Sequence, residues 1–345
     1  MERFIADVCQ GGCCFVCGAK PGTKPFNDEH VVPQWLLRKH GLYRGQVGLP
    51  NGTSIKYSQY TIPCCEDCNG ILGQEIESPI SNVLTGGYDS TVEFVKANGP
   101  WMLFSWMALL FIKTHLKDGK LRMHRDRRMA NTTIADGSRW NWETIHVVHS
   151  IATAAYSKCV FVPSVLGSTH VFLVRDKGDG AFDYCDFYYG NAVMVRIGDV
   201  AILVVLDDAC EVSRRGFSQL VKVGGPLGKL QVKEVFAYLA YSNMRINPRP
   251  EFGTVLDPVT GKLLMGVKIP SKYDHAEFVP RDFGEVMYSI CYDELSKSDR
   301  GKEILQKIRI GKGSFVFDER GEFVERPGHR TEVIQLGPQL GGTGR

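Results

Sequence analysis

The stretch CFVCG at residues 14–18 and its later counterpart CEDCN at residues 65–69 each carry a Cys-x-x-Cys pair. This spacing lets two thiolates of one tight turn reach the same ion at ~2.3 Å, and two such turns complete a zinc tetrahedron. Gly18 closes the first turn, as expected where the backbone needs a positive φ. The two pairs therefore predict a closed structural zinc site with four ligands: Cys14, Cys17, Cys65 and Cys68.

Other interpretations of the cysteines remain open at this stage. Cys13 and Cys64 lie next to the pairs, so the register could slip by one residue, although the x-x spacing favours Cys14 and Cys65. A single pair could serve redox chemistry, but no strand–helix pattern surrounds it. The third interpretation is chance clustering of buried cysteines. Seven of the 11 cysteines fall in the first 68 residues. Without an export signal they should stay reduced, which favours metal over disulfide.

The bulk properties describe an ordinary globular chain. Its 345 residues suggest about two domains, and a net charge of +3 is too small to drive binding to polyanions by itself. The acidic N-terminus has no signal-peptide core, so we expect a cytoplasmic protein. The apolar run from Trp101 to Ile112 falls short of the ~20 residues that span a bilayer. We therefore expect a buried core helix and no membrane partner.

The interval between the cysteine pairs has 47 residues, more than the ~15–20 of a plain zinc ribbon. Within it, NDEHVVPQWLL at residues 27–37 predicts an extended run that ends at His30, followed by a short helix after Pro33 that stops at Gly41. Residues 54–63 predict a strand, and a helix headed by Asn69 follows the second pair. A zinc ion that joins the two turns would bring Asn69 near His30.

DEHVVPQWL at residues 28–36, followed by CEDCNGILGQEIE at residues 65–77, resembles the HNH (His-Me finger, ββα-metal) endonucleases. The likeness covers roughly residues 13–80 and is to the zinc-stapled variant of the family, in which a zinc ion held by four cysteines joins the two turns, with Asn as the last motif residue. It implies a ββα-metal module at the N-terminus. The strand and helix patterns of the later residues predict a larger α+β domain with an antiparallel sheet, so the expected fold class is α+β.

The resemblance also implies the site residues. His30 falls on the general base, Glu29 replaces the usual metal-binding Asp, and Asn69 is the second metal ligand. Glu77 matches an acidic metal-site position found in a subset of the family. The middle Asn of the motif is displaced, because Tyr60 or Thr61 stands there.

The chemistry explains why an acid and a histidine are adjacent. General-base help contributes ~10²–10⁴-fold, whereas enzymes commonly reach ~10⁶-fold or more, so a cation must stabilise the developing charge. Glu29 and Asn69 offer the hard oxygen ligands that suit Mg²⁺, or Mn²⁺ in its place, while His30 would take a proton from water. The resemblance thus implies DNA hydrolysis to 5′-phosphate and 3′-hydroxyl ends, often in bacterial defence or mobile-element settings, with RNA left open.

Purely structural roles for His30 and Asn69 remain open as alternatives to catalysis. His30 could be a loop histidine hydrogen-bonded to Asp28, and Asn69 could be a helix N-cap. The chain as a whole could be a non-catalytic, zinc-dependent nucleic-acid-binding or regulatory protein.

The segment from Lys113 to Arg128 is the most cationic of the chain. It could be a solvated charged face or a patch that contacts phosphates, in which case binding would weaken with salt at a slope of ~0.9 per phosphate. The candidate phosphate contacts are Lys113, Lys117, Lys120, Arg122, Arg125, Arg127 and Arg128.

The rest of the chain shows patterns of structure without a motif for function. We predict domains at 1–90 (the nuclease module) and 91–326 (of unknown role), then a disordered tail at 327–345. The oligomeric state is open, a homodimer included. The elements expected after the core helix are antiparallel strands over 159–207, a helix over 227–246, a hairpin over 252–269, a helix over 283–308 and a small hairpin at DERGE.

Overall fold

The computed structural model describes residues 1–137, 142–175, 182–216, 220–324 and 334–336. The architecture is mixed α and β with antiparallel sheets, which confirms the predicted fold class at that level. The chain forms two compact units. Unit 1 comprises Met1–Asn82, Ser105–Val160 and Leu256–Leu264, and unit 2 comprises Val83–Phe104, Phe161–Val255 and Met265–Arg345.

The secondary structure is numbered in chain order. The strands are β1 Phe26–His30, β2 Gln46–Gly48, β3 Ser54–Lys56, β4 Thr61–Cys65, β5 Val160–Phe161, β6 Thr169–Leu173, β7 Phe182–Phe187, β8 Ala192–Ile197, β9 Val200–Val205, β10 Ile246–Asn247, β11 Glu251–Leu256, β12 Leu263–Lys268, β13 Asp274–His275 and β14 Ile334–Leu336. The α-helices are α1 Gln34–Lys39, α2 Glu66–Leu72, α3 Ser78–Thr85, α4 Gly87–Asn98, α5 Trp101–Asp118, α6 Ile134–Gly137, α7 Trp142–Ala152, α8 Ala154–Ser157, α9 Lys229–Met244, α10 Pro280–Leu295 and α11 Asp299–Arg309.

In unit 1 a pair of antiparallel strands leads directly into a helix. β1 pairs with β4 so that Glu29 lies opposite Ile62 and His30 opposite Thr61. α2 begins at the residue after β4. The order of strand, strand and helix is the one that the predicted ββα module requires.

Two predicted elements of this unit differ in detail. The strand expected over 54–63 is interrupted by a 3₁₀ turn at Tyr57–Gln59, so β3 pairs with β2 while β4 pairs with β1. The helix expected to start at Asn69 starts at Glu66, since Cys65 ends the strand and serves as the N-cap residue. Asn69 therefore lies inside α2, and the alternative in which it is only the N-cap of this helix is wrong.

The predicted core helix is confirmed as α5. Every residue from Leu103 to Leu116 is buried, as expected for a helix that is apolar on all sides. One charged residue, Lys113, lies within this buried stretch. Among the described residues, no helix combines the length and the apolar character needed to cross a membrane.

Unit 2 is built on an antiparallel sheet of five strands in the order β14-β6-β9-β8-β7. Helix α9 packs on β8 and β9, and α4 packs on β6 and β9. The prediction of successive antiparallel strands holds for β6 to β9. β5, however, belongs to a separate three-stranded sheet in the order β11-β12-β5.

The C-terminal third shows a further correction. The helix expected over 283–308 is two helices, α10 and α11, because the side chain of Ser298 accepts a hydrogen bond from the Gly301 N–H and starts a new helix. The hairpin of β11 and β12 is confirmed, and a bridge between Phe317 and Phe323 confirms the small hairpin at DERGE. The predicted disordered tail lies mostly outside the described residues. Within it, β14 pairs with β6.

Candidate functional site

Four cysteines in unit 1 form one compact cluster. The sulfur atoms of Cys14, Cys17, Cys65 and Cys68 all lie within 4.8 Å of one another. The Sγ atoms of Cys17 and Cys65 are 3.8 Å apart, equal to the ~3.8 Å between ligands of a tetrahedral zinc ion with Zn–S bonds of ~2.3 Å. Among the described residues, this is the only cluster of three or more His, Cys, Asp or Glu ligands. A structural zinc site is compatible with this geometry.

The neighbouring cysteines test the register of the site. Cys64 Sγ lies 3.9 Å from Cys14 Sγ, but neither Cys64 nor Cys13 belongs to the four-membered cluster. The structure therefore brings together the sulfur atoms of the register that uses Cys14 and Cys65.

The electrostatics of the four thiols are compatible with a bound cation. The hydrogen bond between the Cys14 and Cys64 sulfur atoms lowers the pKa of Cys14 to about 4. Burial instead raises the pKa of Cys17 and Cys68. Buried thiolates this close repel one another, so all four are stable as thiolates only around a bound dication. The donor set thus fits zinc, which prefers thiolate ligands of this kind.

The first cysteine turn is held from two sides. The Phe15 N–H donates to the Pro63 carbonyl at 3.2 Å, which ties the turn to β4. The buried His149 imidazole bonds the Phe15 carbonyl through Nε2. Gly18 has a φ of +70°, the left-handed conformation that the sequence predicted there. The turn is therefore positioned by the protein as well as by any metal.

His30 ends β1 and is buried. Its Nδ1 atom lies 3.1 Å from the side-chain amide nitrogen of Gln34, whose oxygen accepts a bond from Arg38 at 2.9 Å. The Gln34 oxygen accepts from Arg38, so its nitrogen faces His30 and donates to Nδ1. The lone pair of the ring is therefore on Nδ1 and the proton is on Nε2. Nε2 is buried and has no hydrogen-bond partner among the described residues. The alternative in which His30 is fixed by Asp28 is wrong, since Gln34 is its partner.

The surroundings of His30 favour a neutral ring. Burial lowers the pKa of His30, and the Lys113 charge lowers it further, while Glu29 acts in the opposite direction. A neutral imidazole is the form in which histidine accepts a proton, but here the lone pair on Nδ1 is already bonded by Gln34.

Asn69 and β1 meet through one hydrogen bond. The Asn69 side-chain Nδ2 donates to Asn27 Oδ1 at 2.9 Å, across 42 residues of sequence. Asn27 lies in the strand that ends at Glu29 and His30. The structure therefore brings Asn69 to the predicted strand, through Asn27, a residue that the sequence analysis did not single out.

Glu29 and Glu77 share the ammonium of Lys113, a residue that the sequence suggested as a phosphate contact. The Lys113 Nζ atom lies 2.7 Å from Glu29 Oε1, 2.9 Å from the His30 carbonyl and 3.1 Å from Glu77 Oε1. An ammonium has three N–H donors, so each of them has an acceptor. Lys113 is 0% exposed, and it is therefore not the surface phosphate contact proposed from the sequence. A single lysine in an apolar helix was the signal that could have revealed this role.

Charge stabilises this triad of Lys113, Glu29 and Glu77. Burial alone would lower the pKa of Lys113, but the two carboxylates outweigh it and raise the pKa above its ordinary value. For Glu77, burial raises the pKa more than the neighbouring lysine lowers it. The ammonium is therefore held in its charged form inside the protein.

A divalent cation can be tested against this donor set. Mg²⁺ is usually held by one or two carboxylates, with water and substrate phosphate completing its shell. Glu29 and Asn69 are hard oxygen donors of that type, and the unpartnered Nε2 of His30 lies on the same strand end. Because Lys113 binds one oxygen of each glutamate, a metal at this site has to share Glu29 with the ammonium.

Tyr60, one of the two residues at the position where the resemblance expects the middle Asn, is buried. The Tyr60 carbonyl accepts a hydrogen bond from the Val31 N–H at 2.9 Å, directly after His30. Its hydroxyl donates to Asp118 Oδ1 at 2.8 Å. Tyr60 thus fixes the backbone that follows the histidine and is itself held to α5.

The remaining members of the basic segment differ in exposure. Lys117, Lys120 and Arg122 are half-buried, and Lys120 donates to the Gly11 carbonyl at 2.5 Å. The arginines at the end of the segment are exposed, and the last of them pairs with Asp126 at 2.7 Å. The exposed side chains are Arg125, Arg127 and Arg128.

Comparisons of the chain with protein-family models, with curated proteins and with solved structures give no match.

Proposed function

We propose that this protein is a metal-dependent endonuclease of the HNH type that hydrolyses phosphodiester bonds of DNA. The observation that carries the proposal is the hydrogen bond from Asn69 to Asn27. It joins the helix after the second cysteine pair to the strand that ends in Glu29 and His30, inside a frame set by the four-cysteine cluster. This contact between the helix after the second cysteine pair and the strand that ends at His30 supports the proposal.

The proposed roles follow from the side chains. Glu29 and Asn69 would hold Mg²⁺ or Mn²⁺, which when bound would stabilise the negative charge that develops on the phosphate. His30 would accept the proton of the attacking water at Nδ1, the atom that carries the lone pair. Its lowered pKa keeps the ring neutral near neutral pH, as a general base requires. Gln34 would have to move aside or share Nδ1 with that water.

The exposed end of the basic segment would hold the substrate. Arg125, Arg127 and Arg128 can reach a backbone phosphate more easily than the half-buried Lys117, Lys120 and Arg122. Phosphate contacts of this kind position a nucleic acid without reading its sequence, so they would serve DNA and RNA alike.

Plasmid nicking tests the proposal. Supercoiled DNA is incubated with the zinc-loaded protein and Mg²⁺ or Mn²⁺, and wild type is compared with His30→Ala and with His40→Ala, a histidine at the end of α1. We expect nicking by wild type and His40→Ala and a loss of at least ~100-fold in His30→Ala, the lower range of general-base catalysis. Equal nicking by all three would remove His30 from the mechanism.

A second function is favoured by one observation. Lys113 already compensates part of the charge of Glu29 and Glu77, which is the arrangement expected if the module keeps its fold but needs no catalytic metal. The protein would then be a zinc-dependent nucleic-acid-binding or regulatory protein. DNA binding in a gel-shift assay, with no nicking under any metal condition, would favour this function.

A further inference from the structure

The buried triad of Lys113, Glu29 and Glu77 contains more chemistry than the proposed function uses. Its ammonium has three acceptors and no access to solvent. Burying a charge is costly unless it is paired and hydrogen-bonded. A methionine or leucine would continue the apolar helix without that cost, so packing alone does not explain a lysine at this position.

The position of the ammonium gives it two effects on the site. It binds the side chain of Glu29 and the backbone carbonyl of His30 together, so it fixes the orientation of both residues. With formal charges of +1 for the lysine and −1 for each glutamate, it also brings the triad to −1 instead of −2. Affinity for a hard divalent cation rises with the number of uncompensated charges among the ligands.

We propose that Lys113 is a positioning residue that sets the divalent-ion affinity of this site, acting as a built-in cation that competes for the carboxylate of Glu29. The inference rests on the proposed function, because it takes Glu29 as the metal ligand. It assigns Glu77 a different role from the one implied by the family resemblance. Glu77 is the second counter-ion of Lys113, and its effect on the metal is through charge.

Counting charges on the triad gives an ordered series of variants. Wild type has −1, Lys113→Met has −2, Glu77→Gln has 0, and the double variant Lys113→Met with Glu77→Gln returns to −1. Divalent-ion affinity should follow that order, with about tenfold or more between neighbouring charges. Removing Lys113 should therefore tighten Mn²⁺ binding in two comparisons. Lys113→Met should bind more tightly than wild type, and the double variant should bind more tightly than Glu77→Gln.

Titration of the zinc-loaded protein with Mn²⁺ measures this order, with free Mn²⁺ followed by its electron paramagnetic resonance signal. Glu29→Gln identifies the part of the binding that belongs to this site. Lys56→Met, an exposed lysine of unit 1, is the matched control and should bind Mn²⁺ as wild type does. Lys113→Arg keeps the charge and changes the hydrogen-bond geometry, so its Mn²⁺ affinity should lie closer to that of wild type than the affinity of Lys113→Met does.

The series has clear contrary outcomes. Unchanged or weaker Mn²⁺ binding on removal of Lys113 would overturn the inference. If Lys113→Met does not fold, the comparison of Glu77→Gln with the double variant decides the question, because the double variant has no unpaired lysine or second carboxylate.

Plasmid nicking, scored in parallel, separates the two proposals. Nicking by wild type with no ordering of Mn²⁺ affinities rejects the role of Lys113 and leaves the nuclease standing. Ordered affinities without nicking by wild type support the role of Lys113 and reject the nuclease. If no variant binds Mn²⁺ at this site, the role of Lys113 is rejected as well.

Discussion

The Nζ atom of Lys113 lies 2.7 Å from Oε1 of Glu29, although 84 residues separate the two in the chain. The lysine comes from the buried core helix α5, and the glutamate is the residue before His30 in β1. The ion pair therefore connects the core of unit 1 to the strand that carries the candidate general base. A mutation in the helix can thus affect the site without touching a substrate.

Loss of this pair should be costly to stability. In Lys113→Met, two glutamates lose their common partner, and removal of one member of a buried pair typically costs roughly 3–5 kcal/mol. The double variant with Glu77→Gln should recover part of that loss. Urea unfolding measures the free energy of unfolding of wild type, of both variants and of the exposed control Lys56→Met. In the control this free energy should change by less than about 0.5 kcal/mol. A loss in Lys113→Met as small as in the control would contradict the pairing.

The register of the zinc site gives a prediction with a built-in control. Cys65→Ser should abolish stoichiometric zinc binding, since a structural site contributes on the order of 10–16 kcal/mol of binding free energy and needs all its thiolates. Cys64→Ser should keep one zinc per chain, because Cys64 lies outside the cluster. Metal analysis of the purified proteins measures both. Zinc loss in Cys64→Ser with retention in Cys65→Ser would shift the register by one residue.

Tyr60 should matter for stability through its hydroxyl. Tyr60→Phe removes the donor to Asp118, a buried carboxylate, and a hydrogen bond to a charged group is worth roughly 1.5–3 kcal/mol. Tyr43→Phe is the matched control, because Tyr43 is exposed. Equal urea midpoints for the two variants would show that the Asp118 contact contributes nothing.

The pH dependence of stability should depend in part on His170 in unit 2. Burial lowers the pKa of His170 from 6.5 to about 4. Between those values the unfolded chain binds a proton that the folded chain does not, so the stability contributed by neutral His170 is lost as the pH falls from 6.5 to 4. The slope is about 1.4 kcal/mol per pH unit for one group.

His170→Gln isolates that effect. The pKa of Asp208 is raised to about 6 by burial and acts in the opposite direction, but it is present in both proteins and cancels in the comparison. The difference in the free energy of unfolding between wild type and His170→Gln should therefore shrink towards about pH 4. A difference that stays constant between about pH 7 and about pH 5 in urea unfolding would contradict a buried neutral histidine.

DNA binding should depend on the exposed arginines of the basic segment. If Arg125 and Arg127 each contact a phosphate, replacing both by alanine should reduce the slope of log K against log salt by about 0.9 per contact. Fluorescence anisotropy with a labelled duplex at several salt concentrations measures the slope, with Lys56→Ala as the control. An unchanged slope in the double variant would show that this segment is a solvated charged face.

Local sequence patterns predicted the parts of the fold that depend on near neighbours. The Cys-x-x-Cys spacing predicted the four-membered cluster, because two residues between thiols allow one turn to present both. The apolar run from Trp101 predicted α5, since a helix without a polar side must be buried. Over 283–308 the same kind of pattern missed the break at Ser298, because helical periodicity continues across a short gap while a single N-cap side chain ends one helix and starts another.

The sequence by itself determined the cysteine pairs, the order of strand, strand and helix, and the presence of an acid and a histidine before a short helix. Only the tertiary structure decided that Lys113 is the partner of Glu29 and Glu77, that Tyr60 holds the backbone after His30, and that Asn27 receives Asn69. The physical reason is that spacing along the chain reports contacts within one turn or one strand. A buried charge, by contrast, takes its partner from whichever element the packing of the core brings within hydrogen-bond distance.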